Sequence, residues 1–377
     1  MVMTGSIYVF ATDIDLDNSI VNLNDDSAES VIFESAKAIN MHDINGYISL
    51  QCGENKNDYE NFFKGLEWDH SNEGIMCVDS ALIYEIKEIP LNEAEAFTSI
   101  YKYKEKYDEL SAFYVGFDYK VNNESKYFFN GVNYRLVIVG KENGIWKIIE
   151  ESDAPVESLS KTEYAFESNA ENKALNIIDA RMNGVILNGK LKAIDFEEGD
   201  IISTQRASDA EHVKPSYIRV YRTSSNKVEN IDLYSYIKNV LPNEWYASWP
   251  SESLKTGAMA CKMYGWYHHY HPKWNSLNAD VKDTTADQVY KPNTETAATT
   301  AAINAVNGIG IQNSAGKIFE TQYVAGTSGT AGSGNTGKIS QYGSKYLAEN
   351  GWTYMSICAY YYNVSDKSNQ RISQFTY

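Results

Sequence analysis

The apolar residues of this chain come in short bursts separated by polar turns, and that limits its folds more than any other feature. Tyr134-Arg-Leu-Val-Ile-Val-Gly is strand-sized, and no apolar run approaches the ~20 residues of a membrane span. Short bursts have to be gathered into layers of mixed elements. At 377 residues and roughly 150 residues per domain, two or three domains are expected. A hydrophobic fraction of 43% with 13% aromatics supplies ordinary packed cores, which excludes global disorder. The class expected is α+β.

Fifty acidic side chains against 33 basic ones give a net charge of −17. That argues against a nucleic-acid partner, because phosphate contacts need clustered Lys and Arg. The opening Met-Val-Met-Thr-Gly-Ser has no basic region followed by an apolar stretch, so no signal peptide is visible, and any export signal is expected outside this chain. The four cysteines, Cys52, Cys77, Cys261 and Cys358, form no C-x-x-C pair. They read as plain buried thiols rather than a zinc site or a disulfide framework.

Three regions follow from the texture of the chain. The first, 1–155, reads as an α+β accessory domain. Ala28–Asn40 carries Val31, Ile32, Ala36 and Ile39 near 3–4 spacing, an amphipathic helix, and Glu93–Tyr107 is a more polar helix. Strands are expected at Ala112–Val121, Asn133–Val139 and Trp146–Ile149, with turns at Asn122–Glu124 and Gly140–Gly144. The run from Tyr134, followed by Asn143-Gly-Ile-Trp-Lys-Ile-Ile-Glu-Glu, resembles the closing strands of nuclear-transport-factor-2-like cone domains; no site is carried over from it. Residues 156–213 read as a connector, with a helix at Ala170–Arg181 and a strand at Val185–Leu187. From Lys214 to the end, 214–377, a mixed helix and strand domain is expected. Its strand Pro215–Arg222 leads to a helix Ile231–Val240 ended by Pro242, and Trp249-Pro-Ser-Glu252 opens another helix. Leu254, Ala258, Cys261 and Gly265 line one face of it. Helices are also expected at Thr296–Val306, Gln341–Glu349 and Tyr354–Tyr362, and strands at Ile309–Gln312 and Lys317–Val324 around an Asn313–Gly316 turn.

The residue that most suggests chemistry is Glu244, between two helices and beside Trp245, Tyr246 and Trp249. Removing water from a carboxylate disfavours its charged form, and a protonated carboxyl is what glycosidic cleavage needs as general acid. The same aromatics suit sugar faces. The competing reading makes Glu244 a helix cap and the aromatics core.

The segment from Tyr236 through Asn243-Glu244-Trp, Trp249-Pro-Ser-Glu252-Ser-Leu-Lys255 and Lys262 to Tyr264 resembles the SpoIID/LytB family, the sporulation stage II lytic transglycosylases and amidase enhancers. Asp280-Val-Lys-Asp-Thr-Thr-Ala-Asp-Gln288-Val-Tyr290, Ala302–Gly308, Ile318–Tyr323, Ser340-Gln341-Tyr-Gly-Ser and Leu347 to Tyr354 resemble further family segments in the same order, over roughly 215–362. The resemblance implies a groove-bearing domain acting on peptidoglycan glycan strands outside the cytoplasm, with Glu244 as the single acid/base. The muramic 6-hydroxyl then attacks C1, giving 1,6-anhydro ends. Trp245, Tyr246, Trp249, Lys255, Lys262, Gln288, Tyr290, Ser340 and Gln341 are the implied substrate-binding residues. It also implies a cell-wall amidase as partner for the enhancer branch, and hence an alternative: a catalytically silent glycan-binding or amidase-enhancing module. A third reading is a structural surface protein.

Where sporulation members place Cys and His ligands for zinc, this chain has Lys282, Ala286 and Asp287, so neither metal nor cofactor is expected. Lys262 stands where an Arg is usual, keeping charge but losing the planar fork. Asn335-Thr-Gly-Lys338 replaces a Gly-His-Gly run. His268 and His271, three apart, read either as a metal pair or as helix-end histidines favoured by the dipole. The Gly-rich 326–337 stretch lacks a phosphate-loop ending and reads as a lid or groove edge, and Ser328 and Ser333 lack a nucleophile elbow. The anionic surface predicts no electrostatic steering toward anionic wall polymers.

Overall fold

The computed structural model describes residues 7–8, 26–182, 186–187, 190–191, 211–364 and 371–377. The protein is α+β and divides into two compact units: Met1–Ser203 with His271–Ala279, and Thr204–Tyr270 with Asp280–Tyr377.

The first unit is built on an antiparallel sheet whose strands lie in chain order, β1 (Ile7–Tyr8), β2 (Val78–Ile89), β3 (Leu110–Val121), β4 (Gly131–Glu142) and β5 (Ile145–Asp153). Asn143 and Gly144 join β4 to β5 with φ of 54° and 80°, the left-handed pair that a two-residue hairpin requires. One sheet face carries Ala112, Tyr114, Leu136 and Ile138, buried with Ile100, Val156, Leu159 and Phe166. The Ser30–Asn40 helix buries Val31, Ile32, Ala36 and Ile39, the expected stripe, and packs on β2 and β5.

Several elements depart from the expectations. The long strand β2 went unread because register shifts at Val78/Ser80 and Ile83/Glu85 break its alternation. The Glu93–Tyr107 helix is two short ones, Leu91–Ala94 and Ile100–Lys104. Thr98 interrupts them, buried and donating to Glu150 Oε2 at 2.8 Å. Residues 156–175 fold onto the first unit: Val156, Leu159, Phe166 and Ala174 join its core, and Tyr114 Oη donates to buried Glu171 at 2.9 Å. The Asn169–Met182 helix follows, then the paired β6 (Ile186–Leu187) and β7 (Lys190–Leu191); Val185 lies outside the described residues. Residues 271–279 complete the same unit. Lys273 is buried 3.2 Å from buried Glu150, Asp153 N–H donates to Pro272 O at 3.0 Å, and Tyr47 Oη meets Ser276 Oγ at 2.8 Å.

The second unit surrounds the Ser251–Tyr270 helix, buried on nearly every face from Ser253 to His268, as a central core helix must be. Small residues let its neighbours close in. A Cβ on Gly257 would lie 2.5 Å from the Trp245 ring, and one on Gly265 2.8 Å from the Tyr236 ring. The preceding helix runs Leu233–Glu244 with Pro242 inside it, so Pro242 does not end the helix as expected. In the last turn a proline forfeits only one backbone bond, and burial of Tyr236, Ile237, Val240 and Leu241 outweighs it. β8 (Tyr217–Arg222) pairs with β9 (Lys227–Asp232) and, in parallel, with β10 (Val281–Lys282). β11 (Ile309–Gln312) pairs not with 317–324 but with the C-terminal strand. Of the expected strand 317–324 only β12 (Tyr323–Val324) forms, pairing with β13 (Ile339–Ser340); the C-terminal strand is β14 (Ser373–Thr376). The Ala297–Ala305, Gln341–Glu349 and Tyr354–Tyr362 helices stand where expected, the first closed by a Thr296/Thr299 capping box.

Candidate active site

Glu244 is the last residue of its helix, half-buried, and two segments distant in sequence meet it. From 280–290, Val289 N–H donates to Glu244 Oε1 at 2.7 Å. From the start of the Gln341–Glu349 helix, Gln341 Nε2 donates to the Glu244 carbonyl at 2.7 Å and lies 3.4 Å from Oε2.

The 280–290 segment is held by its aspartates, each accepting hydrogen bonds that an apolar residue would forfeit. Asp280 Oδ2 accepts from Arg219 N–H at 3.0 Å. Asp283 accepts from Arg222 Nε at 3.0 Å and Thr223 Oγ1 at 2.8 Å. Asp287 accepts from Tyr264 Oη at 3.0 Å and Lys282 N–H at 2.6 Å. These bonds, with Gln288 and Tyr290 below, aim Val289 N–H at the carboxylate. Gln288, fully buried, accepts from Tyr236 Oη at 2.9 Å and donates to Tyr323 Oη at 3.2 Å. Tyr290 is buried and stacks on Tyr236 at 5.8 Å, with the Arg222 guanidinium over its ring at 4.7 Å.

The aromatics flanking Glu244 divide into floor and shelf. Trp245 is floor: buried, edge-on to Tyr323 at 5.0 Å, its indole N–H donating to Ser344 Oγ at 3.1 Å. Tyr246 is 59% exposed. It leans on Trp249 at 5.2 Å, which leans on Tyr342 at 5.1 Å. Tyr246 therefore presents the exposed aromatic face two residues from Glu244, braced from below by Trp249, which is buried.

The remaining predicted residues lie deeper or to one side. Lys255 pairs with Glu252 at 2.6 Å, and Glu252 also accepts from Tyr354 N–H at 2.8 Å. Despite partial burial, these partners hold the Glu252 carboxyl below the usual range. Lys262 is buried, and its ammonium donates to the carbonyls of Val306 and Ile309. Burial pushes its pKa down to about 7. Ser340 caps the Gln341–Glu349 helix, accepting from Gly343 N–H at 2.9 Å. His268 bonds Glu320 at 3.1 Å, whereas His271 belongs to the first unit. Among the described residues no group of three or more His, Cys, Asp or Glu is arranged for a metal. Cys261 and Cys358 are buried and burial raises both thiols. The 326–337 loop is pinned by Tyr361 Oη donating to Ala331 O and Tyr360 Oη to Gly332 O at 2.8 Å.

Val289, Tyr323, Tyr342 and Ser344 belong to this constellation and were not singled out from sequence. Each lies in or beside a segment that carries the resemblance, so the convergence of those segments was the available signal.

Residues 221–312 match the family model SpoIID, described as Stage II sporulation protein. An uncharacterized protein of Brachyspira hyodysenteriae is 33% identical over 98 residues. The aligned part is 25% of this chain and 26% of that relative, so the match spans about a quarter of either. The family match contains Glu244, Lys262 and Val289; Gln341 lies beyond it. Among the described residues no helix is long and apolar enough to cross a membrane.

Proposed function

With a SpoIID domain over residues 221–312, and with it a role tied to the cell wall, we propose that the protein is a lytic transglycosylase of peptidoglycan with Glu244 as its acid/base. The observation that carries this reading is the carboxyl's mounting. Oε1 takes a backbone N–H from Val289 at 2.7 Å, so a protonated Glu244 keeps its hydrogen on Oε2. This reading assigns Oε2 the donation to a glycosidic oxygen.

Donation from Oε2 to the bridging oxygen breaks the bond from C1 of N-acetylmuramic acid to N-acetylglucosamine. The muramic 6-hydroxyl forms the new bond to C1, and its proton returns to the Glu244 carboxylate. No water is consumed and no second carboxylate is needed, in contrast to hydrolases. Tyr246 supplies the exposed sugar-stacking face, and the buried Trp249 expected there from sequence backs it. Trp245, Gln288 and Tyr290 act from beneath through the side chains they touch, Lys262 and Ser340 hold backbone groups, and Lys255 sets the rim through Glu252. The site works on wall glycan outside the cytoplasm, with the first unit as accessory domain.

A second reading, a silent glycan-binding or amidase-enhancing module, is favoured by the segment that bears zinc ligands in sporulation members. Here its Asp287 is occupied by Tyr264 and the Lys282 N–H. Mass spectrometry of purified glycan strands, with and without stem peptides, separates the two. Anhydro-ended fragments from the wild type and none from Glu244→Gln support the enzyme. Intact strands from both, with the protein still co-sedimenting, support the silent module.

A further inference from the structure

Gln341, Tyr342 and Ser344 meet Glu244, Trp249 and Trp245. Gln341 Nε2 reaches the Glu244 carbonyl at 2.7 Å and its Oε2 at 3.4 Å. Tyr342 packs on Trp249. Ser344 Oγ accepts the Trp245 indole N–H at 3.1 Å, meets Ser253 Oγ at 2.8 Å and donates to Gln341 O at 2.7 Å. These bonds fix the register of the helix start against the acid-bearing turn. The Gly-rich loop and Ala325 just before it seat the same helix turn. Tyr342 N–H donates to Ala325 O at 3.0 Å, and a Cβ on Gly343 would lie 2.4 Å from Ala331 O.

We propose that Gln341 is a positioning residue for Glu244: one amide nitrogen, held by the helix start, grips both backbone and carboxyl of the acid and fixes the direction of Oε2. The proposal rests on the acid/base reading of Glu244 but differs from the substrate-binding role that the sequence implied for Gln341. A carboxyl with Oε1 tied to Val289 still swings about its side-chain torsions; the contact at Oε2 removes that freedom. A donor beside Oε2 also stabilises the carboxylate relative to the acid. Among the described residues, titratable groups that feel Glu244 include Tyr236 on its own helix, Cys261 on the central helix and Tyr323 in β12. Burial raises all three, so they stay neutral through the working range, and Asp287 faces Tyr236. The Gln341 donor, 3.4 Å from Oε2, is then expected to act on the Glu244 titration.

The test uses the full chain with Gln341→Met, which keeps length and removes the donor, and Gln341→Glu, which keeps shape and adds a negative charge. On glycan strands, kcat of Gln341→Met is expected to fall roughly 100-fold, the scale of a misplaced catalytic group, with KM little changed. The basic limb of its pH profile is expected to move to higher pH. A raised KM at unchanged kcat makes Gln341 a substrate contact and overturns the proposal. The second readout needs no turnover: a carbon-13 titration of the Glu244 carboxyl, identified by its loss in Glu244→Gln. Its pKa is expected to rise in Gln341→Met and further in Gln341→Glu. Unchanged titration in both variants overturns the proposal, even if the wild type proves inactive and only the enzymatic reading falls. If methionine loosens the helix start, Gln341→Glu carries the test alone.

Discussion

Lys262 is a cation buried where the resemblance implied a charge near the substrate, and its stability effect has a definite sign. Burial lowers its pKa from 10.5 to about 7, a gap worth roughly 4–5 kcal/mol. Below pH 7 the folded protein bears that whole penalty, because the ammonium is charged in both states but desolvated in one. Between about 7 and 10.5 the unfolded chain binds more protons than the folded one, so stability rises with pH. From pH 7 to pH 9 this group alone is expected to add about 2 kcal/mol.

Lys262→Met removes the titration. It also strips donors from the carbonyls of Val306 and Ile309, at about 1–3 kcal/mol for each acceptor left bare. Relief and loss are of similar size, so the absolute change at pH 7 decides little and the slope decides everything. Urea unfolding at pH 7, 8 and 9, followed by the fluorescence of Trp245 and Trp266 in the same core, measures it. The wild type minus Lys262→Met difference cancels the tyrosines common to both. That difference is expected to climb by about 2 kcal/mol over the window. Lys262→Arg is expected to lack the climb too, since a guanidinium stays charged throughout. Parallel pH curves for wild type and Lys262→Met refute the reasoning.

Two packing predictions follow from close contacts. Gly257→Ala drives a methyl to 2.5 Å from the Trp245 ring and 2.9 Å from Leu241; a cost of about 1–3 kcal/mol and a displaced indole are expected, read by thermal melting and the Trp245 emission. Lys273→Met leaves Glu150 buried, with Thr98 and Tyr103 hydroxyls as donors, and is expected to destabilise the first unit by about 3–5 kcal/mol. Adding Glu150→Gln to Lys273→Met is expected to recover part of it, and a melt unchanged by Lys273→Met alone contradicts the pairing.

What the sequence disclosed follows how local the determining physics is. The Ser30–Asn40 stripe, the Asn143-Gly144 turn and the helices Gln341–Glu349 and Tyr354–Tyr362 are written in spacing and turn chemistry, and they stand where those signals put them. β2 escaped because two register shifts scramble its period. The expected turn at Asn313–Gly316 forms, with Asn313 N–H donating to Lys317 O at 2.8 Å, but β11 pairs with β14, more than sixty positions away, and no local pattern reports a distant competitor.

The site divides in the same way. Glu244 and its aromatics are contiguous and were legible, but which aromatic is floor and which is shelf depends on segments forty to a hundred residues on. Lys262 illustrates the cost of reading charge as exposure: between Cys261 and Met263 its neighbours already spoke for the interior, yet its own charge argued otherwise. The least legible piece is 271–279. His271-Pro-Lys-Trp-Asn-Ser-Leu-Asn-Ala279 sits between a helix and a strand of the second unit and looks like their loop. Its Lys273 nevertheless neutralises Glu150 of the first unit, whose own sequence holds a buried carboxylate with no local reason to be there. Lys147, three residues earlier, donates instead to Ser49 O, so the buried acid takes its cation from a segment distant in sequence.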